Sequence, residues 1–110
     1  MKVEILYFDG CPTYLVAEKT LREVLEQKGI AAEVELVAVN TDGEAHELRF
    51  AGSPTIRVDG EDLFPAPVRA EYALGCRIYA TPEGLRGSPT STMLSEALAK
   101  KQSGSVKGSF

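Results

Sequence analysis

Two cysteines, Cys11 and Cys76, are the residues of this 110-residue chain most capable of covalent or metal chemistry. Cys11 stands between a short apolar run, residues 3–8, and a stretch with helical spacing that opens at Pro12. A helix N-terminus presents unpaired backbone N–H groups and the positive end of the helix dipole. In such settings the pKa of a cysteine falls from ~8.5 to between ~3.5 and 7.5. Since thiolate is both nucleophile and metal ligand, Cys11 is a candidate for either role.

Two neighbours modify this expectation for Cys11. Tyr14 follows one turn later and is placed to donate a hydrogen bond to the sulfur, although an aromatic residue at that spacing also fits a core position. The Asp9 carboxylate opposes thiolate formation if its side chain lies close to the sulfur. The alternative for Cys11 itself is an ordinary small apolar residue at a strand–helix junction.

Composition excludes several classes of protein and of site. A formal net charge of −4, with no basic tract, is unfavourable for nucleic-acid binding. Structural zinc sites use four ligands, whereas Cys11, Cys76 and His46 make three, so no structural zinc site is expected. No signal peptide or apolar run of spanning length is present, which predicts a cytoplasmic protein without membrane contact. In that compartment thiols are normally kept reduced.

The pattern of residues predicts one α/β domain over residues 1–101, followed by a disordered tail at 102–110. Asp59-Gly60 separates two strand-like runs and predicts a hairpin. Residues 65–76 are irregular, residues 77–80 resemble a strand fragment, and residues 82–87 are expected to be loop. Strands are predicted at 3–8, 32–39, 55–58 and 61–64, and helices from Pro12 to Gly29, from Thr41 to about residue 51, and from Ser88-Pro89 onward.

This β-α-β-α-β-β-α order resembles the thioredoxin fold, a three-layer α/β arrangement with a mixed four-stranded sheet. The resemblance rests on Cys11-Pro12 at the first strand–helix junction and on Ser53-Pro54-Thr55 before the third strand. It implies that Cys11 is the nucleophile and that Pro54 is the cis-proline facing it. It also implies that the backbone of Thr55 pairs with an extended substrate, and that Pro12 and Ser53 help to shape the docking groove.

The sequence departs from the dithiol pattern of that family at Tyr14, which stands where the resolving cysteine is expected. In the thioredoxin arrangement, the strand that follows the Asp59-Gly60 turn ends at the active-site edge, and the loop 65–76 is long enough to return Cys76 over Cys11. If residues 77–80 are the fourth strand instead, Cys76 lies at the end of the sheet opposite the active-site edge and cannot reach Cys11. Cys76 is therefore either a resolving cysteine or a packed bystander.

The resemblance implies a thiol–disulfide oxidoreductase without a bound cofactor, whose partner is a thiol or disulfide on a protein or small molecule. The segment from Gly75 to Tyr79 is also faintly similar to the region around a catalytic cysteine of alkylmercury lyases. That similarity implies an alternative function, a soft-metal site formed by Cys11 and Cys76, since two thiolates suit soft metals. A third alternative is a thioredoxin-like domain that binds a partner without catalysis.

Overall fold

The apolar run at the N-terminus forms the strand around which the sheet is built. A computed structural model describes residues 1–64, 72 and 74–107, with side chains described as far as Lys101. Its elements, in chain order, are β1 (Lys2–Tyr7), α1 (Thr13–Lys28), β2 (Glu33–Ala38), α2 (Asp42–Leu48), β3 (Thr55–Val58), β4 (Glu61–Asp62), β5 (Tyr79–Thr81), β6 (Gly84–Arg86) and α3 (Ser91–Lys107).

The main sheet has four strands in the order β2-β1-β3-β4. β1 and β2 are parallel because α1 carries the chain back between them, whereas β3 is antiparallel to both β1 and β4. The predicted mixed four-stranded sheet is therefore confirmed. So is the Asp59-Gly60 hairpin: both residues have positive φ, 51° and 88°, as a two-residue hairpin turn of the primed type requires.

The alternation of side chains along β1 divides the core between the two faces of the sheet. Val3 and Ile5 point to a cluster built from α1 and α3, and Leu6 points to a smaller cluster on the side of α2. The first cluster includes Leu21, Leu25, Ile56, Leu94 and Leu98, and the second includes Val39, Ala45 and Phe50. One face of the sheet is thus covered by two helices and the other by one.

α2 ends at Leu48, earlier than the predicted residue 51. Arg49 adopts a left-handed conformation with φ 54° and caps the helix, after which Phe50 turns back into the core with no exposed surface. At its other end Thr41 accepts a hydrogen bond from the backbone N–H of Glu44 at 3.1 Å, so the predicted cap is confirmed.

The prediction of loop at residues 82–87 is wrong, because this segment forms half of a second hairpin. β5 and β6 pair through Thr81 and Gly84 in a separate two-stranded sheet. The Thr81 hydroxyl donates to the Gly84 carbonyl at 2.6 Å and accepts from the backbone N–H of Glu83 at 3.2 Å, which fixes the turn. Pro82 made this segment look like loop in the sequence. Proline is nevertheless compatible with a hairpin at the first central position of the turn, which Pro82 occupies.

The last helix begins later and extends further than the sequence indicates. Thr90, rather than Ser88, supplies the capping hydroxyl, which accepts from the backbone N–H of Met93 at 3.2 Å. The helix continues through residues 102–107, within the stretch assigned to a tail. Of the segment predicted to be irregular, residues 65–76, the structure describes residues 72 and 74–76. The rest of that segment lies outside the described residues. Across the described ranges, none of the helices is long and apolar enough to cross a membrane.

Loss of the Thr41 cap should destabilise the protein. We expect Thr41→Ala to lower the free energy of unfolding by about 1 kcal/mol, because the N–H of Glu44 loses its acceptor. Thr41→Ser keeps the hydroxyl and should remain close to wild type. Urea denaturation of the three proteins measures the difference, and equal stability of the alanine and serine variants would contradict this account of the helix start.

Candidate functional site

Cys11 lies in the turn between β1 and α1. Its backbone N–H donates to the Phe8 carbonyl at 3.0 Å, which closes the turn, and Pro12 then occupies the N-cap position of α1. Proline is tolerated there because its missing N–H would not have been used by the helix. The turn directs Cys11 inward, and only 3% of its surface is exposed.

A short extended segment, residues 74–77, carries Cys76 across the end of the sheet and is called the strap below. Ser53 pairs with it in a parallel bridge: the Ser53 N–H donates to the Gly75 carbonyl, and the Arg77 N–H donates to the Ser53 carbonyl, both at 2.8 Å. On the other side of Gly75, the backbone N–H of Leu74 donates to the Asp42 carboxylate at 3.1 Å.

Gly52 allows the strap to lie this close to Ser53. Its φ of +125° is a backbone conformation that residues with a side chain rarely adopt. A Cβ atom built on Gly52 would also lie 2.9 Å from the Cβ of Arg77 and 3.0 Å from its backbone. Both observations make residue 52 a position that glycine alone fills without displacing the strap.

The strap brings Cys76 to Cys11, and the two form a disulfide with their Cα atoms 5.6 Å apart. That separation is in the usual range for a disulfide. Of the two alternatives for Cys76, the structure therefore supports the partner of Cys11. The alternative that keeps Cys76 away from Cys11 required a strand directly after Cys76, and β5 does follow it. It belongs to the separate β5–β6 hairpin rather than to the main sheet, so it does not carry Cys76 away from Cys11.

The side chain of Arg77 anchors the strap on its C-terminal side. Nη1 of the guanidinium donates to the Asp62 carboxylate at 3.0 Å, and Nη2 donates to the Phe64 carbonyl. The same guanidinium lies over the ring of Tyr79, 4.8 Å from its centroid. Because only 10% of the Arg77 side chain is exposed, this ion pair is screened less than a surface pair.

Tyr79 connects the strap to the loop before β3. Its hydroxyl donates to the Pro54 carbonyl at 2.5 Å, and its ring packs edge-on against Phe64. Burial raises the pKa of Tyr79 well above its ordinary value, since the phenolate would be desolvated, while the nearby Arg77 partly offsets this effect. Its position between Ile78 and Ala80, at the start of β5, gave no sign of this role in the sequence.

The Cys11 sulfur has two polar neighbours. The Thr13 hydroxyl lies 3.3 Å from Sγ, and the Ser53 carbonyl oxygen lies 3.8 Å from it. A disulfide sulfur carries no proton, so the Thr13 hydroxyl is the donor in this pair. Gly87, the residue after β6, packs directly on Thr13, and a Cβ there would lie 2.7 Å from the threonine methyl group. Sequence reasoning missed Thr13, although a hydroxyl two residues after Cys11 was visible.

Tyr14, which the sequence placed as a donor to the sulfur, has its ring stacked on Tyr7 instead. The two centroids are 4.2 Å apart, and the Tyr14 ring also packs against the core cluster beneath α1. Desolvation, followed by the negative charge of Asp9, raises the pKa of Tyr14. Within the described part of the chain, the hydroxyl that contacts the Cys11 sulfur is therefore that of Thr13.

The residues expected to bind substrate fall into two groups. Pro12 is exposed beside the disulfide, whereas Ser53, Pro54 and Thr55 are buried. The Ser53–Pro54 bond is cis, as the resemblance implied. The backbone of Thr55 pairs with Leu6 in the sheet, and its hydroxyl donates to the Gly52 carbonyl at 2.6 Å. Thr55 therefore has no backbone edge free for a substrate, and Ser53 already pairs with the strap.

The site is asymmetric in exposure. Cys76 is an exposed residue, while its partner Cys11 is almost fully buried. The backbone of Ser53 lies against both cysteines, and its hydroxyl is buried without a hydrogen-bond partner among the described residues. No group of three or more His, Cys, Asp or Glu side chains in the described ranges is arranged to hold a metal ion.

Tyr79→Phe should reveal the Tyr79–Pro54 hydrogen bond through the pH dependence of stability. The folded protein holds the Tyr79 proton to higher pH than the unfolded chain, whose pKa is near 10.0, so the stabilisation is complete below pH 10 and is lost as pH rises above it. Near pH 7 the variant should lose about 1–3 kcal/mol, because the buried Pro54 carbonyl loses its donor.

Urea denaturation of the oxidised proteins at neutral pH and above pH 10 measures both effects. The wild type should lose more stability between these two conditions than Tyr79→Phe does. Equal losses in the two proteins would contradict the assignment.

Comparison with known proteins adds no relative to this picture. No protein-family model, no curated protein and no solved structure matches the chain. Its function must therefore be argued from the disulfide, the strap and their surroundings.

Proposed function

We propose that this chain is a thioredoxin-like thiol–disulfide exchange protein whose redox pair is Cys11 and Cys76. The observation that carries the proposal is the pairing of these two cysteines, 65 residues apart in sequence, at the N-terminal end of α1. The sheet order β2-β1-β3-β4, with Cys11 after β1 and the Ser53-Pro54 loop before β3, supports the thioredoxin-like interpretation. The proposed partner is a thiol or disulfide on a protein or small molecule.

The surroundings of the pair favour reversible exchange over a purely structural bridge. One member of the disulfide is exposed, so an external thiolate can reach it. The other lies beside a helix N-terminus and a hydroxyl donor, which together stabilise a thiolate when the bond opens. A structural disulfide needs neither feature.

Oxidation of two substrate thiols proceeds in two exchange steps. A substrate thiolate attacks one sulfur of the Cys11–Cys76 bond, forms a mixed disulfide and releases the other sulfur as a thiolate. A second substrate thiolate attacks the substrate sulfur of the mixed disulfide and releases the oxidised substrate disulfide. Two substrate thiols have then lost two electrons, and both cysteines of the protein are reduced. The reverse sequence reduces a substrate disulfide.

Equilibration with redox buffers tests this proposal. In dithiothreitol and glutathione buffers of graded potential, the wild type should convert reversibly between a form with no reactive thiol and a form with two. Cys11→Ser and Cys76→Ser should each keep one thiol and lose the two-electron transition. The thiol count is read by alkylation and intact mass, with circular dichroism confirming that each protein is folded.

Catalysis is measured in the same system, as acceleration of peptide-disulfide reduction by dithiothreitol at substoichiometric protein. A disulfide that excess dithiothreitol leaves intact in the folded protein would overturn the proposal. That result would favour a binding domain without catalysis.

Soft-metal binding is a second candidate, because the same geometry places two sulfur atoms together. Once reduced, the pair offers two thiolates without a third ligand in the described ranges, which suits a two-coordinate soft ion such as Hg²⁺. The similarity to alkylmercury lyases would add a carboxylate that protonates the carbon released from mercury, and the exposed Asp9 is the carboxylate nearest to Cys11 along the chain.

Titration of the reduced protein with Hg²⁺ tests this candidate. We expect one ion per chain and loss of both free thiols for the wild type, and much weaker binding by Cys11→Ser and Cys76→Ser. Binding that survives Cys76→Ser unchanged would exclude the two-thiolate site, because one sulfur would then suffice.

A further inference from the structure

We infer that Cys76, rather than Cys11, is the sulfur that exchanges with substrate, and that Cys11 serves as the leaving and resolving thiolate. This assignment rests on the proposed function and reverses the roles that the thioredoxin resemblance implies. It is carried by three independent observations: the exposure of the two cysteines, the contacts of the Cys11 sulfur, and the way in which the strap is held.

Access decides which sulfur an incoming thiolate reaches. In thiol–disulfide exchange the attacking sulfur approaches along the line of the S–S bond, from the side opposite the leaving sulfur, so the attacked sulfur must be open on its far side. Cys11 is 3% exposed, and the Thr13 hydroxyl and the Ser53 carbonyl lie 3.3 Å and 3.8 Å from its sulfur. Cys76 is exposed on the strap. Of the two residues, Cys76 is therefore the one that an incoming thiolate meets from solvent.

The departing charge then develops where the protein can hold it. Attack on Cys76 releases Cys11 as a thiolate beside the N-terminus of α1, a helix of 16 residues whose dipole favours negative charge at this end. The Thr13 hydroxyl, 3.3 Å from the sulfur, is already placed to donate to it. A better-stabilised thiolate is also a better leaving group.

The strap keeps Cys76 near Cys11 after the bond opens. Its backbone is held on both sides of Cys76 by Ser53, and its side-chain anchor at Arg77 is fixed to Asp62 and to the Phe64 carbonyl. None of these contacts involves the sulfur atoms. A mixed disulfide on Cys76 therefore remains within reach of the Cys11 thiolate, and resolution proceeds as an intramolecular step.

The full cycle in the reducing direction balances with these roles. The Cys76 thiolate attacks a substrate disulfide R–S–S–R′, forms R–S–S–Cys76 and releases R′–S⁻. The Cys11 thiolate then attacks the Cys76 sulfur, re-forms the Cys11–Cys76 bond and releases R–S⁻. The substrate gains two electrons and the cysteine pair loses two. In the oxidising direction each step runs backward.

The regiochemistry of the mixed disulfide tests the assignment on the wild-type protein. The oxidised protein is mixed briefly with a limiting amount of N-acetylcysteine, quenched in denaturing acid, and treated with N-ethylmaleimide before peptide mass spectrometry. We expect the N-acetylcysteine adduct on Cys76 and the maleimide on Cys11 as the predominant pattern, because access decides which sulfur is attacked.

The outcomes separate this assignment from the proposed function. An adduct on Cys11, or an even distribution, would overturn the assignment while leaving disulfide exchange itself supported. A disulfide that stays intact in the folded protein under excess dithiothreitol would instead overturn the proposed function. Because the wild-type chain is used, no result depends on the folding of a cysteine variant.

A threonine pair on α1 tests the leaving-group role of Cys11. Thr13→Val removes the hydroxyl beside the sulfur at nearly constant volume, and Thr13→Ser retains it. Thr20→Val is the matched control, since Thr20 lies on the same helix and its hydroxyl donates to the Val16 carbonyl.

We expect Thr13→Val to slow reduction by N-acetylcysteine about threefold to tenfold, as loss of one hydrogen bond to a developing charge predicts. Thr13→Ser and Thr20→Val should react at the wild-type rate. An unchanged rate for Thr13→Val would contradict thiolate release at Cys11.

Discussion

The backbone of Ser53 hydrogen-bonds to the strap on both sides of Cys76, and the geometry of the whole site depends on this pairing. The pairing sets Cys76 opposite the turn that contains Cys11, and the ion pair between Arg77 and Asp62 supports the same placement. The pairing in turn requires Gly52, because a side chain there would meet Arg77. The site is thus determined first by backbone contacts, and the sulfur atoms are brought together as their consequence.

The same pairing gives the loop before β3 a role different from the one its motif predicts. Ser53, Pro54 and Thr55 were expected to face a substrate, yet they are buried and hold parts of the chain itself. Tyr79 donates to Pro54, the strap pairs with Ser53, and Leu6 pairs with Thr55. The strap therefore occupies the backbone edge that an extended partner would need, and a partner reaches the site through the exposed cysteine.

Sequence patterns predicted the sheet and two helix starts because these depend on local chemistry. The Asp59-Gly60 turn and the Thr41 cap each involve residues within a few positions of one another, and both are as expected. The strap could not be predicted in the same way. Its position depends on Ser53 and Asp62, which are distant from it in sequence. Nothing in the residue types identifies the strap as their partner. The exposure of Cys76 is likewise a product of tertiary contacts, and no residue type encodes it.

The disulfide closes a covalent ring from residue 11 to residue 76 that contains β2, β3 and β4 but not β1. In the folded sheet β1 lies between β2 and β3, so two strands of the ring are joined only through a strand outside it. A ring of this size lowers the entropy of the unfolded chain by an amount worth about 4 kcal/mol. Oxidation therefore restrains the unfolded polypeptide without supplying the central strand. Within the ring β3 and β4 pair with each other, whereas β2 joins the sheet only when the N-terminal segment supplies β1.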